Sequence, residues 1–354
     1  MNRIEDLRSF PPLDLAAGDR TRQRLDNLTK PRGSLGRLED LAVQMAEITG
    51  RDSPTLHAKV VVVAAGDHGV VEEGVAAYPR EVTRQMVENF VSGGAAINCL
   101  ARLAGARVVV ADFGVDCPPF TSGSVRNLKV ARGTRNLARE AAMSREECER
   151  AIAAGAELID EEHVRGLDAL AIGEMGIGNT TPASCLVAAF TGISVREAVG
   201  KGTGLDEAGV ERKRKVVEKA LALHRSALPD PLAVLAALGG FEIAGLAGAA
   251  MRAAQLRVPV FVDGFISSAA ALAAARIAPG LEGFLIAAHR SAEPGHAAAL
   301  KALGLKPLLE LEMRLGEGTG AALAFNLAEA SVRVLTDMAT FGEAGVSDKE
   351  GGAG

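Results

Sequence analysis

Two glutamates stand in glycine-rich runs. Glu317 lies in Gly316-Glu317-Gly318-Thr319-Gly320-Ala321, and Glu174 in Gly173-Glu174-Met175-Gly176-Ile177-Gly178-Asn179-Thr180-Thr181. Glycine lets the backbone approach a ligand closely and adopt conformations other residues avoid. A carboxyl group in such a setting suits a general base, provided it comes within hydrogen-bond reach of the proton it removes. The run at 316–321 also matches the dinucleotide pattern G-x-G-x-x-G/A. That fingerprint normally belongs to the first strand–helix–strand unit, whereas here only one helical stretch and a tail follow. Glu317 would also set a carboxylate beside a pyrophosphate, which is unfavourable unless the acid is neutral.

Two runs suit an anion. In 173–181 the glycines precede a helix whose free N–H groups can hold a phosphate, although Thr180 or Thr181 equally suits an ordinary helix cap. Gly200-Lys201-Gly202-Thr203-Gly204-Leu205-Asp206 is the second such loop, and the helix after it carries Arg212-Lys213-Arg214-Lys215. Most of that basic run reads as a solvated face. His68, His289 and His296, with Asp67, Asp112 and Asp263, are of ligand type but show no H-E-x-x-H or comparable spacing, so hydrogen bonds that fix loops are their favoured role. No G-x-S-x-G elbow and no Walker loop is present, which removes support for a hydrolase triad or a Walker NTPase.

These residues need a frame. Apolar runs without polar alternation recur at 60–65, 108–111, 169–172, 258–262, 284–288 and 308–315, the last of them carrying acidic residues, and they read as strands buried on both faces, hence parallel. Helical stretches at 86–103, 145–159, 182–189, 206–226, 240–254 and 267–275 lie between them. The alternation specifies an α/β fold with a doubly wound, mostly parallel sheet. Each run ends in a polar, Gly-flanked turn: Gly66-Asp67-His68-Gly69, Asp112-Phe113-Gly114, Gly173-Glu174-Met175-Gly176, Asp263-Gly264-Phe265, His289-Arg290-Ser291 and Gly316-Glu317-Gly318. Ligands of open α/β sheets bind outside the carboxyl ends of the strands, so these turns are expected to converge on one crevice. Helical patterns at 13–50 and 320–341 are expected to pack together as a small domain or lid. The expected division is therefore 1–55 with 320–342 as a small helical domain, 56–319 as the large catalytic domain, and 343–354 as a disordered tail.

Composition narrows the functional classes. Hydrophobic residues make up 48% of the 354 residues but aromatics only 3%, so Ala, Val, Leu and Ile must build the core. A formal net charge of −5 lacks the basic excess that nucleic-acid binding requires. The four cysteines show no C-x-x-C spacing, the start has no secretory h-region, and no apolar run reaches the ~18 residues of a membrane span. A cytoplasmic enzyme acting on small molecules, without membrane or nucleic-acid partners, is expected.

Six separated blocks carry a resemblance: Ala65-Gly66-Asp67-His68-Gly69-Val70, Tyr78-Pro79-Arg80-Glu81-Val82-Thr83, Glu174 to Thr181, Gly202-Thr203-Gly204-Leu205-Asp206, Asp263-Gly264-Phe265-Ile266 and Arg314 to Gly320. With Lys30-Pro31-Arg32-Gly33-Ser34-Leu35-Gly36 they span nearly the whole chain. The sequence resembles the nicotinate-nucleotide–dimethylbenzimidazole phosphoribosyltransferases, which make the lower-ligand nucleotide of cobalamin. The resemblance implies a homodimer with a Rossmann-like large domain and neither metal nor redox cofactor. It implies Glu317 as the base that deprotonates the incoming benzimidazole and Glu174 as a second acid. Tyr78, Gln85, Met86 and Met175 would line the base pocket. Gly176, Gly202, Gly204 and Lys213 would hold the phosphate, Asn179, Asp263 and Ser291 would lie at the ribose or nicotinate, and Gly178, Thr180, Thr203 and Gly316 would belong to the same phosphate, ribose and nicotinate site. Readings from other classes are a nicotinamide-dependent oxidoreductase, which would bind NAD(H) tightly, and a non-catalytic nucleotide-binding module, in which the acids are structural.

Overall fold

The computed structural model describes residues 4–202 and 204–347. In chain order its elements are α1 (Leu15–Asp26), α2 (Arg37–Thr49), β1 (Lys59–Gly66), α3 (Glu81–Ser92), α4 (Ala96–Leu103), β2 (Ala106–Gly114), β3 (Val125–Asn127), α5 (Arg145–Val164), β4 (Ala169–Met175), α6 (Thr180–Thr191), α7 (Val195–Ala198) and α8 (Glu207–Leu223). There follow α9 (Pro231–Leu238), α10 (Phe241–Gln255), β5 (Val260–Val262), α11 (Phe265–Ile277), β6 (Leu285–Ala287), α12 (His296–Ala302), α13 (Thr319–Asp337) and α14 (Phe341–Ala344). The strands form one six-stranded sheet in the order β3-β2-β1-β4-β5-β6, and every pairing is parallel. This is the doubly wound order in which the chain reverses direction between β1 and β4.

β1 explains the centre of the sheet. All eight of its residues are buried, because the Val-rich run Val60–Val63 has a strand on each side and helices over both faces. On one face α10 crosses β1, β2 and β4 with α5 packed on it, and on the other α4 and α13 cover the sheet. The scarcity of aromatic residues finds its counterpart at α5–α10. A Cβ placed on Gly155 would fall 1.9 Å from the Gly245 carbonyl oxygen, and one on Gly248 would fall 1.9 Å from that of Ile152. Two helix backbones touch there directly, which larger side chains forbid. Start signals are read locally: Ser144 accepts from Glu147 N (3.1 Å) while Glu147 accepts from Ser144 N (2.7 Å), a capping box at α5.

Three expectations need correction. The run 308–315 is no strand. Leu308 N and Leu309 N donate to the carbonyls of Ala287 and Ala288 (3.0 Å each), but the segment makes only a single bridge, His289 to Leu309, and Glu312 then turns left-handed (φ 55°). The sixth strand is instead the three-residue edge strand β3, too short and too polar to show in an apolar-run reading. The helical stretch 86–103 is two helices, since Gly93 in the left-handed region (φ 79°) ends α3. α9 stands between two expected helices where the sequence reading placed none, although Asp230 caps it, accepting from Leu232 N at 3.0 Å, and Pro231 opens it.

The terminal helices meet around a cluster of their own, formed by Leu25 and Leu28 of and beside α1, Ala42 and Val43 of α2, and Leu335 of α13. Thr29 N donates to Ala339 O (3.0 Å) and Phe341 N to Asn27 O (2.9 Å), tying the two ends of the chain. The first half of α13 belongs to the main core, where Phe325 stacks edge-on against Phe261 of β5 at 5.0 Å between centroids. Residues 348–354 of the expected tail lie outside the described residues.

Candidate active site

β1 and β4 are neighbours whose chains leave toward opposite faces, so the crevice opens at their carboxyl ends. Glu174, next to last in β4, sits level with Ala64 of β1 and is delivered to that point by the register alone. It is buried, and the Asn179 side-chain amide donates to its Oε2. Burial, then the nearby Asp263 and Glu242 carboxylates, push the Glu174 carboxyl up to about 8, against the opposing effect of the Asn179 hydrogen bond. Two or three carboxylates crowded away from water cannot all ionise. Glu174 therefore carries its proton through most of the neutral range.

Glu317 reaches the same place by a different route. Gly316, Glu317 and Gly318 are three successive left-handed residues (φ 87°, 62° and 88°), and the turn launches α13. A non-glycine residue in that region is strained by about 1–3 kcal/mol and persists only where its surroundings over-determine it. Here they do. Glu317 N donates to Glu174 O (3.3 Å), and a Cβ on Gly316 would fall 2.4 Å from Glu174 Oε1, so the turn lies directly against the Glu174 side chain. The Glu317 carboxylate accepts from Ile97 N in the first turn of α4 (3.4 Å). Burial raises its pKa, the Ile97 N–H holds it back, and Asp263 adds to the rise.

Asp263 follows β5 and faces the start of α13. Its Oδ2 accepts from Gly318 N (3.2 Å) and its Oδ1 from Ala321 N (3.0 Å). His289, at the end of β6, brings Nε2 to 3.7 Å from Oδ1. Burial raises the Asp263 pKa, and His289 with the α13 amides offsets it.

The cationic side of the crevice is Lys213 of α8. It is fully buried, donates to Thr180 Oγ1 at 2.5 Å, and burial lowers it to about 8 against the pull of Glu293. Its ammonium lies 3.6 Å from where a Cβ on Gly202 would be, so the two glycine loops and the lysine meet. Arg314 donates to Gly202 O (2.8 Å), linking the segment before Glu317 to the second loop. Ser291 N donates to His296 Nδ1 (2.7 Å), and burial drives His296 down to about 3, leaving it a neutral acceptor.

A family model for phosphoribosyltransferases matches residues 10–346. Among curated relatives, nicotinate-nucleotide–dimethylbenzimidazole phosphoribosyltransferase of Chloroflexus aggregans is 54% identical over 339 residues, covering 96% of each chain. The enzyme of the same name from Geobacter sp. strain M21 is 52% identical, covering 96% of this chain and 98% of its own. The crystal structure of CobT from Thermus thermophilus superposes with a TM-score of 0.90 at 49% identity, over 94% of this chain and 99% of that one. The chain belongs to the nicotinate-nucleotide–dimethylbenzimidazole phosphoribosyltransferase family. It is an enzyme, a glycosyltransferase of the pentosyl class.

Within that family's frame the expected residues fall into groups. Glu174, Met175, Gly176, Asn179, Thr180 and Gly202 line one cleft, and Ser291 and Gly316 close it. Glu317, Asp263 and Lys213 are buried and lie outside its lining. Gly178 is left-handed (φ 91°) against Val71, and Gly204 is left-handed (φ 125°) and open. Thr203 lies outside the described residues. Tyr78 (51% exposed), Gln85 (exposed) and Met86 (half-buried) are on or before α3, outside the cleft lining. Thr83 of the same helix accepts from Ile177 N (3.0 Å), which ties α3 to the Glu174 loop.

His289, Glu293 and Arg314 also line the cleft. His289 was read as a loop-fixing residue, Arg314 stood in a resemblance block without a role, and Glu293 gave no local signal. Glu242 was missed as well: it pairs with His68 at 2.7 Å, both side chains fully buried. The other ligand-type residues serve the loops, with Asp112 on Lys129 (2.9 Å) and Asp67 on Asp116 N (2.8 Å). A roomier cavity of about 690 Å³ beside β3 and α5, lined by Leu128, Lys129, Glu149 and Arg150, has none of these convergent groups.

Proposed function

We propose that this chain transfers the 5-phosphoribosyl group of nicotinate mononucleotide to 5,6-dimethylbenzimidazole, giving α-ribazole 5′-phosphate and nicotinate, as a step in building the cobalamin nucleotide loop. The relatives' names support the substrates, and the buried Glu317 in its left-handed turn supports the mechanism. One benzimidazole nitrogen attacks ribose C1′ while Glu317 takes the proton from the other. The C1′–N bond to nicotinate breaks, and its electron pair returns to the pyridinium ring, so the leaving group needs no acid. Glu174, protonated near neutral pH, is a hydrogen-bond donor and a poor nucleophile. Displacement is therefore single and inverts the β-configured donor. Holding the two substrates in line contributes up to about 7–11 kcal/mol in well-oriented systems.

Lys213, Thr180 and the glycines at 176, 178, 202 and 204, with Thr203, take the phosphate, while Asn179, Ser291 and Gly316 face the ribose and nicotinate. Met175 lies at the base pocket, to which α3 contributes Gln85 and Met86, with Tyr78 before it. The enzyme works as a cytoplasmic homodimer, with 1–55 and 320–342 as its small domain. Four free cysteines fit a reducing compartment, and among the described residues no helix is long and apolar enough to cross a membrane.

The test is incubation with nicotinate mononucleotide and dimethylbenzimidazole, with NMR assignment of the product's anomeric carbon. An α product is expected, and labelled nicotinate should not exchange into the donor without acceptor base. A β product, or rapid exchange, overturns single displacement.

A further inference from the structure

We propose that Asp263 is a positioning residue that holds Glu317 in its left-handed turn by capping α13, and does not bind the ribose or nicotinate. This rests on the reading of Glu317 as the base. Both Asp263 oxygens are occupied: Oδ2 accepts from Gly318 N (3.2 Å), the residue directly after Glu317, and Oδ1 from Ala321 N (3.0 Å) in the first helical turn. The residue is buried, with both carboxylate oxygens turned to the amides at the start of α13. Gly318, the helix's own N-terminal flank, has no side chain to cap the free amides. A carboxylate from the end of β5 supplies the cap from outside.

The capped turn is also the strained one. Glu317 adopts φ 62° between two left-handed glycines, a backbone state that relaxes unless it is held from several sides. Glu174 O holds it from β4, Ile97 N from α4, and Asp263 from β5. Asp263 is in turn steadied by His289 at 3.7 Å. The charged or titratable groups facing Glu317 are thus Glu174 and Asp263, with Glu242 and His289 one step behind. Of these Asp263 acts twice, placing the turn and raising the Glu317 pKa.

The experiment is a double-mutant cycle of Asp263→Asn with Glu317→Gln, followed by steady-state kinetics across pH. Asp263→Asn is expected to lower kcat about 10–100-fold, since a misplacement of ~1 Å can have such an effect. The KM for nicotinate mononucleotide should move by less than about threefold, and the acidic limb of the pH profile should shift to lower pH because a raising charge is gone. In the Glu317→Gln background the second substitution should add no more than about twofold. Asp263→Glu keeps the charge and displaces it by a methylene, so it should lose kcat with the acidic limb unmoved. It takes the place of Asp263→Asn in the cycle if circular dichroism shows that variant unfolded. Multiplicative losses, or a raised KM with kcat intact, overturn the positioning role and leave Glu317 as the base. Near-normal turnover of Glu317→Gln alone overturns the base and the positioning role with it.

Discussion

The two turns that bring glutamates to the crevice make a controlled comparison. Glu174 leaves a central strand with ordinary extended backbone, and its side chain lies among Asn179, Asp263 and Glu242. Glu317 sits in a left-handed turn and points at the amino end of α4, whose Ile97 N–H favours the ionised form. Both are buried, and both are pushed upward. Glu174 rises to about 8, whereas the Ile97 amide restrains Glu317. Two identical side chains a hydrogen bond apart along the backbone thus meet different surroundings, and the proposed division into a base and a neutral donor rests on that difference.

The sharpest way to break the comparison is Glu317→Gln, which keeps the size and hydrogen bonding of the side chain but cannot accept the proton. A loss in kcat of ~10²–10⁴ is expected, the usual range for a general base. Near-normal turnover in a variant that melts like the parent would show that the left-handed turn holds no base.

Next in size is Lys213→Met, which retains the apolar stem and removes the ammonium facing Thr180 and Gly202. A charge-assisted hydrogen bond contributes about 1.5–3 kcal/mol. Binding of nicotinate mononucleotide, followed by calorimetry, should therefore weaken by ~10–100-fold. Affinity within twofold of the parent would place the phosphate elsewhere.

The smallest effect is expected from Glu174→Gln, because an amide imitates a carboxyl group that is already neutral. Turnover at pH 7 should fall by roughly tenfold or less, far short of the Glu317→Gln loss. The linkage has a definite sign. An acid whose folded pKa lies above its unfolded value binds its proton more tightly when folded, so stability falls as pH rises from the ordinary carboxyl range through about 8. The parent's Tm should drop between pH 6 and pH 9 by more than that of Glu174→Gln, as read by scanning calorimetry. Equal drops, or a turnover loss matching that of Glu317→Gln, would mean that Glu174 is charged and that the two turns do the same work.

What the sequence determined by itself is whatever rests on local rules. The Val-rich run Val60–Val63 read as a buried strand, its alternation with Ala-rich helices required a parallel sheet, and the turns at 66–69 and 173–176, each following a strand, had to fall at one end of that sheet, whereas the turn at 316–318 follows no strand and reaches the same place through tertiary packing alone. The glycines around Glu174 and Glu317 were visible for the same reason: backbone freedom is a property of the residue itself. The tertiary structure decided the rest. β3 is a strand only because β2 offers it an edge, and 308–315 is not one because Glu312 turns left-handed beside β6. The Glu242–His68 pair and the Asp263 cap join residues 174 and 55–58 positions apart, and no local pattern encodes such a meeting. The proton on Glu174 follows from desolvation by a whole core and from the charges of distant strands. That quantity has no value until the chain has folded around it.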